Sequence, residues 1–254
     1  MTYHAFRQRG AYGNRIPGNI DPKAVGVFSY DNVDNLTIWI DYSDETTLYT
    51  DAGSTLVSSD GDAIYQANDK SGNDNHFQQS SSTLRPLYKT GIQNSKSIGR
   101  FDGTNDYMQA VYNNSSSITI IIAVSPDGGK TIYSLGSTAT TTTPKILFQI
   151  QDVNYVRYYL SGNYNITNLS YSYQTFEIHA LRFDDTTWKA SVNGGSESTY
   201  TGGWANLGGY LNLGVGFGGY TALDVGELLV YDKYLSDTEL SSVVNAANSK
   251  WNVF

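Results

Sequence analysis

The chain has 254 residues, 16 Lys and Arg against 24 Asp and Glu, a net charge of −8 and no cysteine. That length suits one large domain with a real core. The composition excludes disulfides, thiolate metal sites and thiol catalysis, and the acidic balance excludes nucleic acid as a partner, because phosphate repulsion opposes binding.

Residues 1–33 show no clear period and hold Gly10, Gly13, Pro17, Gly18 and Pro22, so they read as an extended arm. Arg7, Arg9, Arg15 and Lys23 against Asp21 give residues 1–23 a net charge of +3, which leaves −11 on residues 24–254. Tyr3, Phe6 and Tyr12 interleave with the arginines. A basic, aromatic arm on an acidic body fits a docking tail, with Phe6, Arg7, Arg9, Tyr12 and Arg15 as its contact residues. The first residues lack an apolar core, so no signal peptide is expected, and synthesis and assembly in a cytoplasm follow from that. The apolar run Ile118–Val124 is far too short to span a membrane. The Asn-x-Ser/Thr sequons at Asn35, Asn113, Asn114, Asn165 and Asn168 accordingly read as polar surface.

From residue 34 the pattern is that of strands and turns. Leu36–Asp41 alternates Leu36, Ile38 and Ile40 on one face with Trp39 on the other. A polar stretch follows to Arg85, including the turn-rich loop Asp69-Lys70-Ser71-Gly72-Asn73-Asp74-Asn75. Arg100–Met108 reads as strand, Asp-Gly turn, strand. Further strands are predicted at Ser117–Val124, Lys130–Leu135, Ile146–Gln151, Tyr155–Leu160, Phe176–Phe183, Thr187–Val192, Tyr210–Gly216 and Val225–Tyr231, with a Ser/Thr-rich loop at 137–144. Ser236-Asp237-Thr238-Glu239 is a capping box, and Leu240, Val243, Val244, Ala247 and Trp251 continue it as a helical stripe. Many short strands joined by turns and closed by one helix predict an all-β, antiparallel two-sheet sandwich with a short C-terminal helix and an extended N-terminal arm.

Four segments in order carry a family resemblance: Leu36–Asp41; Asn68–His76 with Gln78 or Gln79 and Arg85-Pro86; Arg100–Tyr107; and Gly226–Ser236 leading into the helix. Over residues 34–254 the chain resembles the laminin-G-like, concanavalin A-like jelly rolls found in phage structural proteins such as decorations, fibres and tails. The resemblance implies a binding or structural module and does not cover residues 1–33. Fold alone does not choose among its uses.

Related sandwiches include glycoside hydrolases that place Glu-x-Asp-x-x-Glu on one strand, so that alternate carboxylates face the sugar. The five glutamates here, Glu45, Glu177, Glu197, Glu227 and Glu239, never begin that spacing, and Glu177-Ile178-His179 puts histidine where the aspartate belongs. No nucleophile-elbow or phosphate-loop motif occurs, and His4, His76 and His179 form no ligand pair. We therefore expect no catalysis and no obligatory cofactor.

Calcium is the one ion the loops offer to hold, through Asp69, Asn73, Asp74 and Asn75 or through Asp102 and Asp106. The same residues equally suit Asx-turns. The sequence also offers a glycan surface at Trp204, Asn206, Tyr210 and Tyr220, with a second aromatic region at Tyr155, Tyr158, Tyr159, Tyr164, Tyr171 and Tyr173. The expected role is a virion protein whose arm docks on capsid or tail proteins and whose jelly roll projects outward, homo-oligomeric in the assembly. Cell-surface glycans are a second partner, and neither nucleic acid nor membrane is one.

Overall fold

Strand β1 (Leu36–Asp41) shows how the sequence pattern becomes a layer. Ile38 and Ile40 turn into the space between two sheets, and Trp39 faces the opposite side. Leu36 departs from the predicted alternation: a register irregularity between Leu36 and Ile38 swings it to the Trp39 side. The computed structural model describes residues 28–113, 117–128, 131–136, 146–152, 155–160, 163–164, 169–184, 186–201, 209–216 and 219–254. The docking residues Phe6, Arg7, Arg9, Tyr12 and Arg15, the glycan candidates Trp204 and Asn206, and the predicted 137–144 loop lie outside the described residues.

After β1 the chain forms β2 (Leu48–Tyr49), β3 (Gln66–Ala67), β4 (Phe77–Gln78), β5 (Leu87–Gln93), β6 (Lys96–Asp102), β7 (Met108–Tyr112) and β8 (Ile118–Asp127). It continues through β9 (Thr131–Gly136), β10 (Ile146–Asp152), β11 (Tyr155–Leu160), β12 (Asn163–Tyr164), β13 (Glu177–Phe183), β14 (Thr187–Val192) and β15 (Ser198–Thr201). It ends with β16 (Gly209–Leu213), β17 (Val215–Gly216), β18 (Gly219–Tyr220), β19 (Ala222–Tyr231) and helix α1 (Asp237–Trp251). The first sheet runs β15-β14-β13-β8-β19-β6-β5, with β1 beside β19; the second runs β12-β11-β10-β9-β16-β7-β4-β3-β2. The pairings are antiparallel. This is the expected all-β, two-sheet sandwich with its C-terminal helix.

The core lies between the sheets. Phe101, Ile120, Ile122, Leu181, Phe183, Leu228 and Val230 of the first sheet meet Met108, Ala110, Tyr133, Leu135, Phe148, Leu211 and Leu213 of the second. A second core covers part of the first sheet's outer face. There Leu240, Val243, Val244, Ala247 and Trp251 of α1 pack on Ile121, Ala123, Ile178, Ala180, Leu229 and Tyr231. Strands β8 and β19 are thus buried on both faces, which is why they read as nearly continuous apolar runs. The capping box forms as predicted: Ser236 Oγ accepts the Glu239 N–H at 3.3 Å, and the Glu239 carboxylate accepts the Ser236 N–H at 2.8 Å.

Strands β2, β3 and β4 lie inside the polar stretch that the sequence left without elements, and β5 and β15 also went unpredicted. The first three are two residues long, too short for alternation to register. Strand β19 begins at Ala222, three residues before the predicted start. Tyr30 and Val33, from the segment read as an arm, are buried in the second core.

Trp251 closes this core. Its ring stacks on Phe176 at 5.7 Å, its Nε1–H donates to Glu227, and a Cβ at Gly226 would stand 2.7 Å from it. Trp251→Ala is expected to destabilise the fold by about 3–5 kcal/mol, measured as a shift of the urea midpoint. A loss under about 1 kcal/mol would show that α1 is not integral to the sandwich.

Candidate functional site: an amide row on the larger sheet

On the outer face of the second sheet, strand register lines up one uncharged row. Tyr49 pairs with Gln66, Gln66 with Gln78, Gln78 with Gln109, Gln109 with Asn212, and Asn212 with Ser134. Directly opposed residues on antiparallel strands share a face, so these six side chains form a band across five strand pairings. The outward direction follows from alternation, because Met108, Ala110, Leu211 and Leu213 on the same strands point into the core.

The two ends of the row are satisfied. Gln78 donates through Nε2 to Gln66 Oε1 at 2.7 Å, Gln66 donates to Asn68 Oδ1 at 2.6 Å, and Ser134 Oγ donates to the Val215 carbonyl at 3.0 Å. The middle is not. Gln109 Oε1 and Asn212 Oδ1 are buried and accept no hydrogen bond, although Asn212 is fully buried. Buried carbonyls without a donor are uncommon, so these two stand out from the rest of the row. Two residues along the same strands, Tyr210 pairs with Val111, which is 52% exposed.

Of the sequence-predicted glycan residues, Tyr210 therefore borders this row. Tyr220 lies elsewhere: with Asp102, Gly103, Asp127 and Thr221 it lines a cleft of about 190 Å³, and its ring faces Tyr107 at 6.3 Å. An adjoining cleft of about 390 Å³ contains Arg100, Ser125, Asp127, Gln174 and Asp224. There Arg100 is held by Asp224 through two 2.7 Å hydrogen bonds, and Gln174 donates to Asp127 at 3.0 Å. Tyr171 and Tyr173 pack on each other inside the fold, with the Tyr171 hydroxyl donating to the Pro126 carbonyl.

The six calcium candidates fall into two separate turns. Asp69 accepts from the Trp39, Ser71 and Asn75 backbone N–H groups and from the Ser71 hydroxyl. Asn73 and Asn75 donate to carbonyls of β1, at 3.0 Å to Leu36 and 2.9 Å to Thr37, and the Asp74 side chain faces solvent. That loop clamps the first strand. In the other turn, Asp102 Oδ1 accepts from the N–H groups of Thr104, Asn105 and Asp106, and Asp106 Oδ2 accepts from that of Asp102. Among the described residues no three His, Cys, Asp or Glu side chains gather as a metal set.

Sequence reasoning missed the amide row because its members come from strands far apart in the chain. His179 is buried, its Nε2 lies 3.1 Å from Glu177 Oε2, and its ring packs 4.7 Å from Phe148. Glu177 and His179 lie on the interior face of β13, with Leu181 and Phe183.

No family model matches this chain, and no curated protein matches it significantly. Solved structures do share the fold. An arabinofuranosidase complexed with arabinofuranosyl-α-1,2-xylobiose aligns at TM-score 0.56 and 14% identity, over 83% of this chain and 58% of that one. A Trypanosoma rangeli sialidase in complex with sialic acid gives 0.54 and 10%, over 85% and 33%. The binding domain of botulinum neurotoxin serotype D gives 0.53 and 11%, over 82% and 52%. This chain thus spans between a third and three-fifths of those chains. The likeness establishes the β-sandwich and corrects one expectation: the chain was read as non-catalytic, yet chains of this fold include an arabinofuranosidase and a sialidase, so the architecture gives no ground for excluding chemistry.

Within the Asp102 turn the two carboxyls are driven apart. Burial, reinforced by the nearby Asp102 charge and only partly offset by the Asp102 N–H, raises Asp106 to about 6. Burial opposes ionisation of Asp102 too, but the three N–H donors hold it below the usual carboxylate range. Between the unfolded value near 4 and about 6, folded Asp106 keeps a proton that the unfolded chain releases, so stability falls as pH rises through that window. Asp106→Asn, which can still accept from the Asp102 N–H, is expected to raise the melting temperature at pH 7 and to flatten its decline between pH 4 and 6. An unchanged pH profile in thermal melts would rule this out.

Proposed function

We propose that the chain is a surface module of a virion, of the laminin-G-like type seen in phage decorations, fibres and tails. Residues 1–23 dock on capsid or tail proteins, and the jelly roll projects outward in a homo-oligomeric assembly. The observation that carries this reading is the charge division: a net of +3 with interleaved aromatics on residues 1–23 against −11 on the rest. Such a segment is attracted to an acidic partner surface while the acidic body repels its neighbours, which favours one orientation.

A second reading, compatible with the first, is contact with carbohydrate. It is supported by the fold shared with an arabinofuranosidase bound to arabinofuranosyl-xylobiose and a sialidase bound to sialic acid, and by an uncharged amide row beside a tyrosine. Amides and aromatic rings are the groups that meet sugar hydroxyls and sugar faces.

Deleting residues 1–23 is expected to leave the melting temperature of the sandwich within about 2 °C of the full chain, since a 1 kcal/mol change shifts a domain of this size by about 2–4 °C. The same deletion is expected to abolish co-sedimentation with particles from the producing host. Undiminished co-sedimentation of the truncated protein would refute the docking role.

A further inference from the structure

We propose that the acidic cleft on the first sheet's outer face holds an arginine guanidinium from the chain's own basic segment, residues 1–23. Strand register builds the cleft. Ala222 of β19 pairs with Asp102 of β6 on one side and with Asp127 of β8 on the other, and two residues along Asp224 pairs with Arg100 and Ser125. Phe101, Val124 and Leu223 of the same strands point into the core, so both rows face outward. Asp224 takes up the Arg100 guanidinium in two 2.7 Å hydrogen bonds, which offsets that charge. Asp102 and Asp127 remain. Among the described residues Asp102 accepts from backbone N–H groups and Asp127 from the Gln174 amide, and neither meets a cation. The floor between them is low: it is Ala222, and a Cβ at Gly103 would stand 2.6 Å from the Ala222 nitrogen. Tyr220 lines the same space, as does Thr221, which is 1% exposed and whose hydroxyl has no hydrogen-bond partner.

Two carboxylates, an unpaired hydroxyl and a ring around one opening suit a flat cation with many donors. A guanidinium carries five N–H donors in one plane, so it serves the carboxylates and the Thr221 oxygen while its face lies on Tyr220. A bare ion fits less well. The Asp102 and Asp127 Cα atoms stand two strand spacings apart, about 10 Å, whereas a hard cation draws its oxygens to about 2.4 Å. The chain itself supplies the occupant. Residues 1–23 hold Arg7, Arg9, Arg15 and Lys23. Tyr30, two residues after the described chain begins at Phe28, is tied to Glu227 of β19, whose carboxylate also meets Trp39 and Trp251 on this same outer face. From Glu227 to Ala222 is five residues of strand, about 17 Å. Arg15 lies 13 residues before Phe28, a reach of up to about 45 Å. A tethered cation within that reach meets the cleft at an effective concentration of about millimolar, which favours self-docking over capture by a second copy. The basic segment then rests on its own body until an acidic partner surface competes for it. This goes beyond the docking reading and is tested apart from it.

The chain has no cysteine, so in the full chain a disulfide between Asn14→Cys, beside Arg15, and Thr104→Cys, in the Asp102 turn, reports the contact. A monomeric crosslink is expected at low salt, slowed about fivefold or more by Asp127→Lys and by salt at about 0.5 M. Asp127 is exposed at the end of β8, so the melting temperature is expected to hold. Asp127→Asn, which can still accept from Gln174, gives a smaller slowing and decides the matter if the lysine variant fails to fold. A crosslink that joins two copies moves the occupant to a neighbour and overturns self-docking. A monomeric crosslink that salt and the folded Asp127 variants leave unchanged overturns the cleft as its site, and no crosslink at all overturns the proposal outright. Each of these results leaves the docking reading standing, because that reading is judged by co-sedimentation.

Discussion

One carboxylate, that of Glu227, holds together four parts of the chain. Its oxygens accept from the Tyr30 hydroxyl at 2.9 Å, Trp39 Nε1 at 2.8 Å, Lys250 Nζ at 2.8 Å and Trp251 Nε1 at 3.1 Å, and the residue is 1% exposed. Those donors come from the segment before the first strand, from β1 itself and from the end of the last helix. Lys250 also reaches Asp41 at 2.7 Å, and Lys70 joins Asp41 to Asp44. Burial alone would raise the pKa of Asp41, but Lys250 and Lys70 prevail and bring it down to about 2. Removing one member of such a buried network leaves an uncompensated charge, which costs about 3–5 kcal/mol, whereas the intact network contributes far less than its contacts imply. Its value is positional: it fixes where α1 lies.

That placement decides which surfaces are available. A register irregularity between Val225 and Glu227 divides β19, so that its first half pairs with β6 and its second half with β1. The second half lies under α1. Beyond the first half the outer face carries Arg100, Ser125, Asp127 and Asp224, a polar cleft in which the arginine is already committed to an aspartate. The larger sheet has a different outer surface, uncharged along its central row, with amides that the protein satisfies at the ends and leaves unsatisfied in the middle. The contrast between Gln66–Gln78, bonded to each other, and Gln109–Asn212, which are not, is not a general property of amides on this sheet. It picks out two adjacent positions.

The fold was legible wherever a strand was long enough to show its pattern. Ile118–Val124 and Val225–Tyr231 announced themselves as apolar runs, and the capping box at Ser236 with its stripe to Trp251 located the helix. Elements two residues long, such as Gln66–Ala67 and Phe77–Gln78, carry no period and are strands only because neighbours pair with them. Glu227 was visible in a segment that carries the family resemblance, but nothing in Gly-Glu-Leu-Leu told that its carboxylate would meet two tryptophans and a lysine, since those partners come from residues 39 and 250–251. The amide row was illegible for the same reason. Its members span residues 66 to 212, and only strand order makes them neighbours. The loop Asp69–Asn75 was legible as oxygen-rich, but not whether those oxygens would face an ion or the backbone. In the fold they meet N–H groups of β1 and of the loop itself.

A sandwich that seals part of one outer face with a helix and leaves the other face polar has a built-in direction. The sealed face carries the ionic network and tolerates little change, because its charges are balanced by partners from distant parts of the chain. The central row of the other face is made of neutral side chains whose replacement disturbs no charge pair. Docking through a basic segment and recognition through a neutral face then draw on different forces. The first weakens as salt screens it, and the second, built from uncharged hydrogen bonds and apolar contact, is nearly indifferent to ionic strength. If both readings hold, rising salt releases the protein from its assembly before it releases a glycan, and the two contacts are separable in one intact molecule.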